Sequence, residues 1–355
     1  MDLFSKLYIG EIELKNRIIM APMTRCRAIH DECANDLMAE YYAQRASAGL
    51  IVAEATQISS MGIGYPCTPG IYKDKHISAW KKITSAVHKK GGLIFLQLWH
   101  TGRVSHSSFL GGATPIAPSP IKLDGEHFTY NGFQPYETPR MLEIYEIHEI
   151  VKEFTKAAQN AIQAGFDGIE IHGANGYLID QFLKDGSNKR NDEYGGMIEN
   201  RSRFLFEIIE SICSAIGSHR TAIRLSPSGT YNGMTDSNPL EDFQYICTKL
   251  NNYNLAYLHI MNVLSGDLRH GAKIVELKQL REVYKGTLIA NGEYTKETAN
   301  NAIENNLADA ISFGTLFISN PNLPLKFSLD APLISPDSTK FYTQDEKGYT
   351  DYPSL

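Results

Sequence analysis

Cysteine is scarce in this chain, five in 355 residues. Cys26, Cys33, Cys67, Cys213 and Cys247 are odd in number, widely spaced and free of any CxxC pair. That argues against zinc or iron–sulfur ligation and for reduced thiols. No apolar run approaches the ~18 residues of a membrane span. No basic block stands out either: 34 Lys and Arg against 40 Asp and Glu give a net charge of −6, so a nucleic-acid surface is not expected. The first residues lack the basic-then-apolar shape of a signal peptide, and the expected location is the cytoplasm. P-loop, GxGxxG, HExxH, GxSxG and EF-hand patterns are all missing, which removes several common chemistries.

What the chain does have is a recurring pair of patterns. Short apolar runs lie at Arg17–Ala21, Leu50–Ala53, Leu93–Leu98, Gly168–Ile171, Thr221–Leu225, Ala256–Ile260, Thr287–Ala290 and Ala310–Phe313. Between most of them lie stretches with helical spacing, such as Leu142–Ala164, where Ile147, Ile150, Val151, Phe154, Ala157, Ala158 and Ile162 mark one face. Continuous β-branched runs are the mark of parallel strands buried on both faces. Eight of them, alternating with helices, predict an α/β fold: a (β/α)8 TIM barrel forming a single domain over residues 1–355. Residues 1–16 alternate apolar and polar around Gly10, which predicts a β-hairpin cap before the barrel. Ser105–Arg140 is rich in Gly, Pro and Ser and reads as a long loop after the third strand, with a hairpin inside it.

In such a barrel, function concentrates at the carboxyl ends of the strands. The stretch GIEIHGANGYLIDQFLKDGSNKRNDEYGGMIENR, Gly168–Arg201, is the densest of these. His172, Asn175 and Tyr177 follow the fourth strand within six positions, and each can hydrogen-bond a carbonyl oxygen or move a proton. A helical turn after the strand would set His172 and Asn175 on one face, three residues apart. Tyr177 would then approach the same small molecule from another side.

The His-x-x-Asn pair, the Tyr two residues on, and the NxRxDxYGGxxxNRxRF pattern from Asn188 to Phe204 resemble the Old Yellow Enzyme family of FMN-dependent ene-reductases. Matches at most other strand ends extend the resemblance over nearly the whole chain. It implies a single FMN-binding barrel, with NADPH or NADH as reductant. Pro22, Met23 and Thr24 after the first strand would follow the flavin edge, although Thr24 also suits a helix cap. Ala55 after the second would leave room for the ring, and Gln97 after the third would offer donor and acceptor to the pyrimidine edge. Arg224 after the fifth would stabilise the charge of reduced FMN, the alternative being a structural ion pair. Asn291, Gly292, Phe313, Gly314 and Thr315 after the seventh and eighth would cradle the phosphate. The family usually carries Arg at position 315, so looser FMN retention is expected unless a cation such as Lys326 compensates. Tyr65 and Tyr349 match substrate-lining positions. His100 reads as a structural rim histidine, His259 as a satisfied core histidine, and Cys26 as structural.

The activity implied is reduction of an α,β-unsaturated carbonyl compound, with nitro compounds and nitrate esters as further candidates. His172 and Asn175 would bind the carbonyl oxygen, and Tyr177 would give the proton. No nucleic-acid or membrane partner is expected, and the assembly would be a monomer or small homo-oligomer. The other readings are a flavin-binding redox-sensing protein without turnover, and another FMN-barrel oxidoreductase such as a hydroxy-acid oxidase. The dienoyl-CoA reductase relatives carry an iron–sulfur cysteine cluster that this chain lacks.

Overall fold

The computed structural model describes residues 1–28 and 31–355. A hairpin comes first, β1 (Leu7–Ile9) and β2 (Ile12–Leu14). The strands β3 (Ile18–Met20), β4 (Leu50–Gln57) and β5 (Ile94–Trp99) follow. Short strands β6 (Ile116–Ala117), β7 (Glu126–Thr129), β8 (Gly132–Pro135) and β9 (Arg140–Met141) elaborate the long loop. Then come β10 (Gly168–Gly173), β11 (Thr221–Leu225), β12 (Tyr257–Met261), β13 (Leu288–Asn291) and β14 (Ala310–Phe313). β3, β4, β5 and β10 to β14 close into a parallel barrel in chain order. The predicted (β/α)8 architecture, the amino-terminal hairpin and the hairpin within 105–140 are all present.

The helices lie outside because their sequences demand one covered face. Ile144–Gln163 buries Ile147, Ile150, Phe154, Ala157, Ala158 and Ala161, a 3–4 spacing that draws one stripe against the barrel. Full burial of one large apolar side chain there contributes roughly 1.5–3 kcal/mol. Hairpin residues Ile9 and Leu14 join Leu50, Phe95, Ala222, Tyr257, Ile289 and Ala310 in one apolar cluster at the amino ends of the strands. The hairpin therefore plugs the bottom of the barrel.

Higher up, the interior turns polar. Neighbouring strands bring Glu170 level with Gln97, and His172 level with Arg224, which is itself level with His259. β4 runs longer than its apolar run suggested, and its register against β5 shifts between Ala53 and Thr56. Such an irregularity re-aims the side chains it contains, here Glu54 and Ala55.

The NxRxDxYGG segment proves to be a brace. Asn188 donates to the carbonyls of Phe182 and Tyr194, and Arg190 pairs with Asp192 at 2.6 Å while donating to the Leu142 carbonyl. Arg201 pairs with Asp242. The brace fixes the helix after β10, and with it the turn that carries the candidate catalytic groups.

Candidate active site

At the carboxyl end of the barrel lies a cavity of about 740 Å³, a size that suits a cofactor with a small substrate. The structure brings most of the sequence-predicted residues to its wall: Pro22, Met23, Thr24, Ala55, Tyr65, Gln97, His172, Asn175, Tyr177, Arg224, Asn291, Gly314 and Thr315. Three are elsewhere. Tyr349 is fully buried, stacked on Tyr41 with ring centroids 3.9 Å apart and covered by the Arg25 guanidinium. Phe313 packs into the core against Phe327. Gly292 faces Asn262 and Leu264, and its φ of +124° is one that only glycine adopts freely.

The turn after β10 is not helical. His172 is still in the strand, and Asn175 is left-handed at φ +58°, followed by Gly176 at +75°. A Cβ on Gly176 would lie 2.7 Å from the Tyr231 carbonyl oxygen, so glycine is required there. Asp180 accepts from the Gly176 amide at 2.8 Å and Ser226 from the Asn175 amide at 2.9 Å, which fixes the turn. His172 and Asn175 therefore meet at the cavity through a tight left-handed turn rather than through helical spacing.

His172 is buried, and burial, with the Arg224 charge beside it, holds its imidazole well below the usual range. The ring is neutral and carries one N–H. Its Nδ1 faces the Ala174 amide at 3.4 Å, leaving the proton on Nε2. Tyr177 packs edge-on against His172 at 5.0 Å and against Trp99 at 4.8 Å. Its hydroxyl donates to that of Tyr65 at 3.3 Å. Burial pushes the Tyr177 phenol far above its usual value, so it keeps its proton at physiological pH. Tyr65 stacks on Trp99, and the four rings form one wall.

Beside this wall the barrel strands add polar groups. Arg224 donates to Asn291 Oδ1 at 2.8 Å and has no carboxylate within ion-pair distance among the described residues, so the ion-pair alternative fails. Gln97 donates its amide nitrogen to Glu170 at 2.7 Å, which leaves chiefly its oxygen for the cavity. His259 bonds Glu170 and Ser312 at 2.8 and 2.7 Å, a satisfied core histidine as predicted. His100 lies outside the cavity wall, and its Nδ1 accepts from the Gly102 amide at 3.1 Å. Thr24 caps nothing, since Asn35 caps the next helix.

Three buried polar atoms on the cavity wall have no protein partner: Arg224 Nε, Trp99 Nε1 and Asn175 Oδ1. Buried polar groups are normally satisfied, so these fit a ligand with hydrogen-bonding edges, as a flavin has. Lys326 does not compensate for Thr315, because it is buried against Asn320 Oδ1 at 2.8 Å. Cys26, read as structural, lines the cavity at φ +56°. Burial beside Glu54 pushes its thiol up to about 12. Sequence reasoning also missed Trp99, Phe128, Phe133, Tyr231 and Tyr342. Trp99 ends a barrel strand and was findable; Phe128 and Phe133 pair across the β7–β8 hairpin, and Tyr231 and Tyr342 sit on irregular loops with no periodic signal.

Residues 2–333 match the model of the NADH:flavin oxidoreductase / NADH oxidase family. The chain is 44% identical to 12-oxophytodienoate reductase 1 of Oryza sativa subsp. japonica, covering 100% of this chain and 93% of that protein. Among solved structures it is similar to the old yellow enzyme homologue of Zymomonas mobilis, 46% identical over the full length of both chains with a TM-score of 0.97. Morphinone reductase in complex with tetrahydroNAD is 44% identical, with a TM-score of 0.94 over 100% of this chain and 98% of that one.

Proposed function

The chain belongs to the NADH:flavin oxidoreductase / NADH oxidase family, that of the old yellow enzymes, and from that premise we propose that its cavity reduces an α,β-unsaturated carbonyl compound, with Tyr177 as proton donor. It is an FMN-dependent oxidoreductase of a family of alkene and enone reductases, with NADH or NADPH as reductant. No helix among the described residues is long and apolar enough to cross a membrane.

FMN, when bound, would supply the redox chemistry, hydride transfer from NADH or NADPH to the substrate's β-carbon. Gln97, Arg224, Thr24 and the turn at Pro22 and Met23 would hold the ring, with Ala55 leaving space for it. Asn291, Gly314 and Thr315 would hold the phosphate end. The neutral His172 donates from Nε2, and with the Asn175 amide it binds the substrate carbonyl oxygen, where negative charge grows as the β-carbon gains its hydride. Donors already in place at such a point favour the transition state over the ground state. Tyr177 then protonates the α-carbon. Its raised phenol pKa leaves it a weak acid, adequate toward an enolate carbon only when geometry places the two together.

One observation carries the reading: His172, Asn175 and the Tyr177 hydroxyl line a single cavity, beside an arginine with no carboxylate within ion-pair distance among the described residues. The test is steady-state oxidation of NADPH with cyclohexenone and, separately, a nitro compound. Turnover of the enone supports the proposal. Flavin spectra without turnover would instead favour a flavin-binding redox sensor.

A further inference from the structure

Beneath the cavity floor lies a closed polar chain that the catalytic reading does not use. Glu170 is fully buried on β10. Its carboxylate accepts from Gln97 Nε2 at 2.7 Å on one side and from His259 Nδ1 at 2.8 Å on the other. His259 Nε2 meets the Ser312 hydroxyl at 2.7 Å. Burial alone would raise the Glu170 carboxyl, but His259, Arg224 and Gln97 together hold it below its usual value, while burial lowers His259. The pair is therefore carboxylate and neutral imidazole, the imidazole protonated on Nδ1 and accepting from Ser312.

An ionised carboxylate can only accept. With Glu170 ionised, the Gln97 amide has one satisfied orientation, nitrogen down and oxygen toward the cavity. Turning it over would set two oxygens against each other in a buried place. Gln97 thus does not offer donor and acceptor equally: its free end is an acceptor.

We propose that Glu170 is a positioning residue for the cofactor. By fixing the Gln97 amide it makes the cavity select a flavin whose pyrimidine ring presents an N–H, as N3–H does. This rests on the FMN edge facing Gln97, and it assigns the selectivity to a side chain that never touches the cofactor.

Binding of FMN and of 3-methyl-FMN to flavin-free protein, followed by fluorescence quenching, tests this. Glu170→Gln lets the two amides re-pair either way and weakens FMN by about tenfold, the effect of one mispaired buried hydrogen bond, while 3-methyl-FMN changes little. Gln97→Ala weakens FMN to a similar degree, and adding Glu170→Gln to it changes the ratio of the two flavins no further. A merely structural Glu170 would lower both affinities together in either background, which overturns the proposal. Should the Glu170 variant not fold, the wild-type ratio still decides, since equal affinity for the two flavins also overturns it. If Gln97→Ala leaves FMN affinity unchanged, the fault lies instead with the placement of the FMN edge.

Discussion

The Tyr177 hydroxyl donates to the Tyr65 hydroxyl at 3.3 Å, across an edge-to-face pair with centroids 6.5 Å apart. The contact aims the phenol into the cavity from a residue that opens a helix, and it gives that phenol a neighbour able to return a proton. Tyr177→Phe keeps the ring packing against Trp99 and His172. The expected result is near-normal flavin reduction by NADPH in stopped flow, with enone reduction slowed by roughly 100-fold or more. Equal loss in both half-reactions would remove Tyr177 from the proton-donor role.

His172 and Asn175 are assigned to the carbonyl oxygen. A phenolate ligand imitates that developing charge and gives a charge-transfer band with bound flavin. His172→Ala or Asn175→Ala is expected to weaken phenolate binding by about 10- to 100-fold, the range for hydrogen bonds to charged groups, and to abolish the band. Unchanged titrations would place the pair outside the site.

The corner expected to take the FMN phosphate is short of positive charge. Thr315 lines the cavity there, and after β13 stands Glu293, left-handed at φ +53°, its carboxylate bonded to Ser265 Oγ at 2.7 and 2.9 Å. Thr315→Arg should tighten FMN by about tenfold, the gain from one charge-assisted contact, and the gain should shrink with added salt. Equilibrium dialysis reads it directly. A wild-type protein that stays fully loaded through long dialysis would contradict the weak retention.

His100 supplies a pH dependence of stability. Burial lowers its imidazole to about 3, from an ordinary value of 6.5. The unfolded chain therefore binds the proton first, and stability falls as pH drops below about 6.5 toward about 3, by up to about 1.4 kcal/mol per pH unit. His172, lowered for the same reason, adds in the same direction. His100→Asn keeps an acceptor for the Gly102 amide and removes the titration. Urea melts at about pH 7 and about pH 5 should show a smaller loss for the variant than for the wild type.

Arg27 ties down the carboxyl-terminal segment that lines the cavity through Phe341, Tyr342 and Thr343. Its guanidinium donates to the Phe341 carbonyl at 2.8 Å, Thr343 Oγ1 at 2.6 Å and the Lys347 carbonyl at 3.1 Å. Arg27→Met strips that segment of its donors and leaves carbonyls unpaired, at about 1–3 kcal/mol for each one that stays buried. Hydrogen exchange should rise across 340–348 while the barrel strands stay protected. Uniform exchange along the chain would argue that the segment is held by other contacts.

The sequence by itself determined the barrel, because eight β-branched runs buried on both faces alternate with one-faced helices, and few arrangements cover all of those surfaces. It also located the catalytic rim, since His172, Asn175 and Tyr177 follow directly from a strand's end. Only the tertiary structure decided how those groups meet. Asn175 and Gly176 are left-handed, a property of two backbone torsions that the Asp180 and Ser226 side chains and the neighbouring 231–232 loop impose from outside. Tyr349 went to the core rather than the cavity, where its ring stacks on Tyr41 and is covered by the buried Arg25 and Arg27 guanidiniums. The orientation of Gln97 was likewise beyond sequence, since it depends on a carboxylate 73 residues away that barrel closure sets beside it.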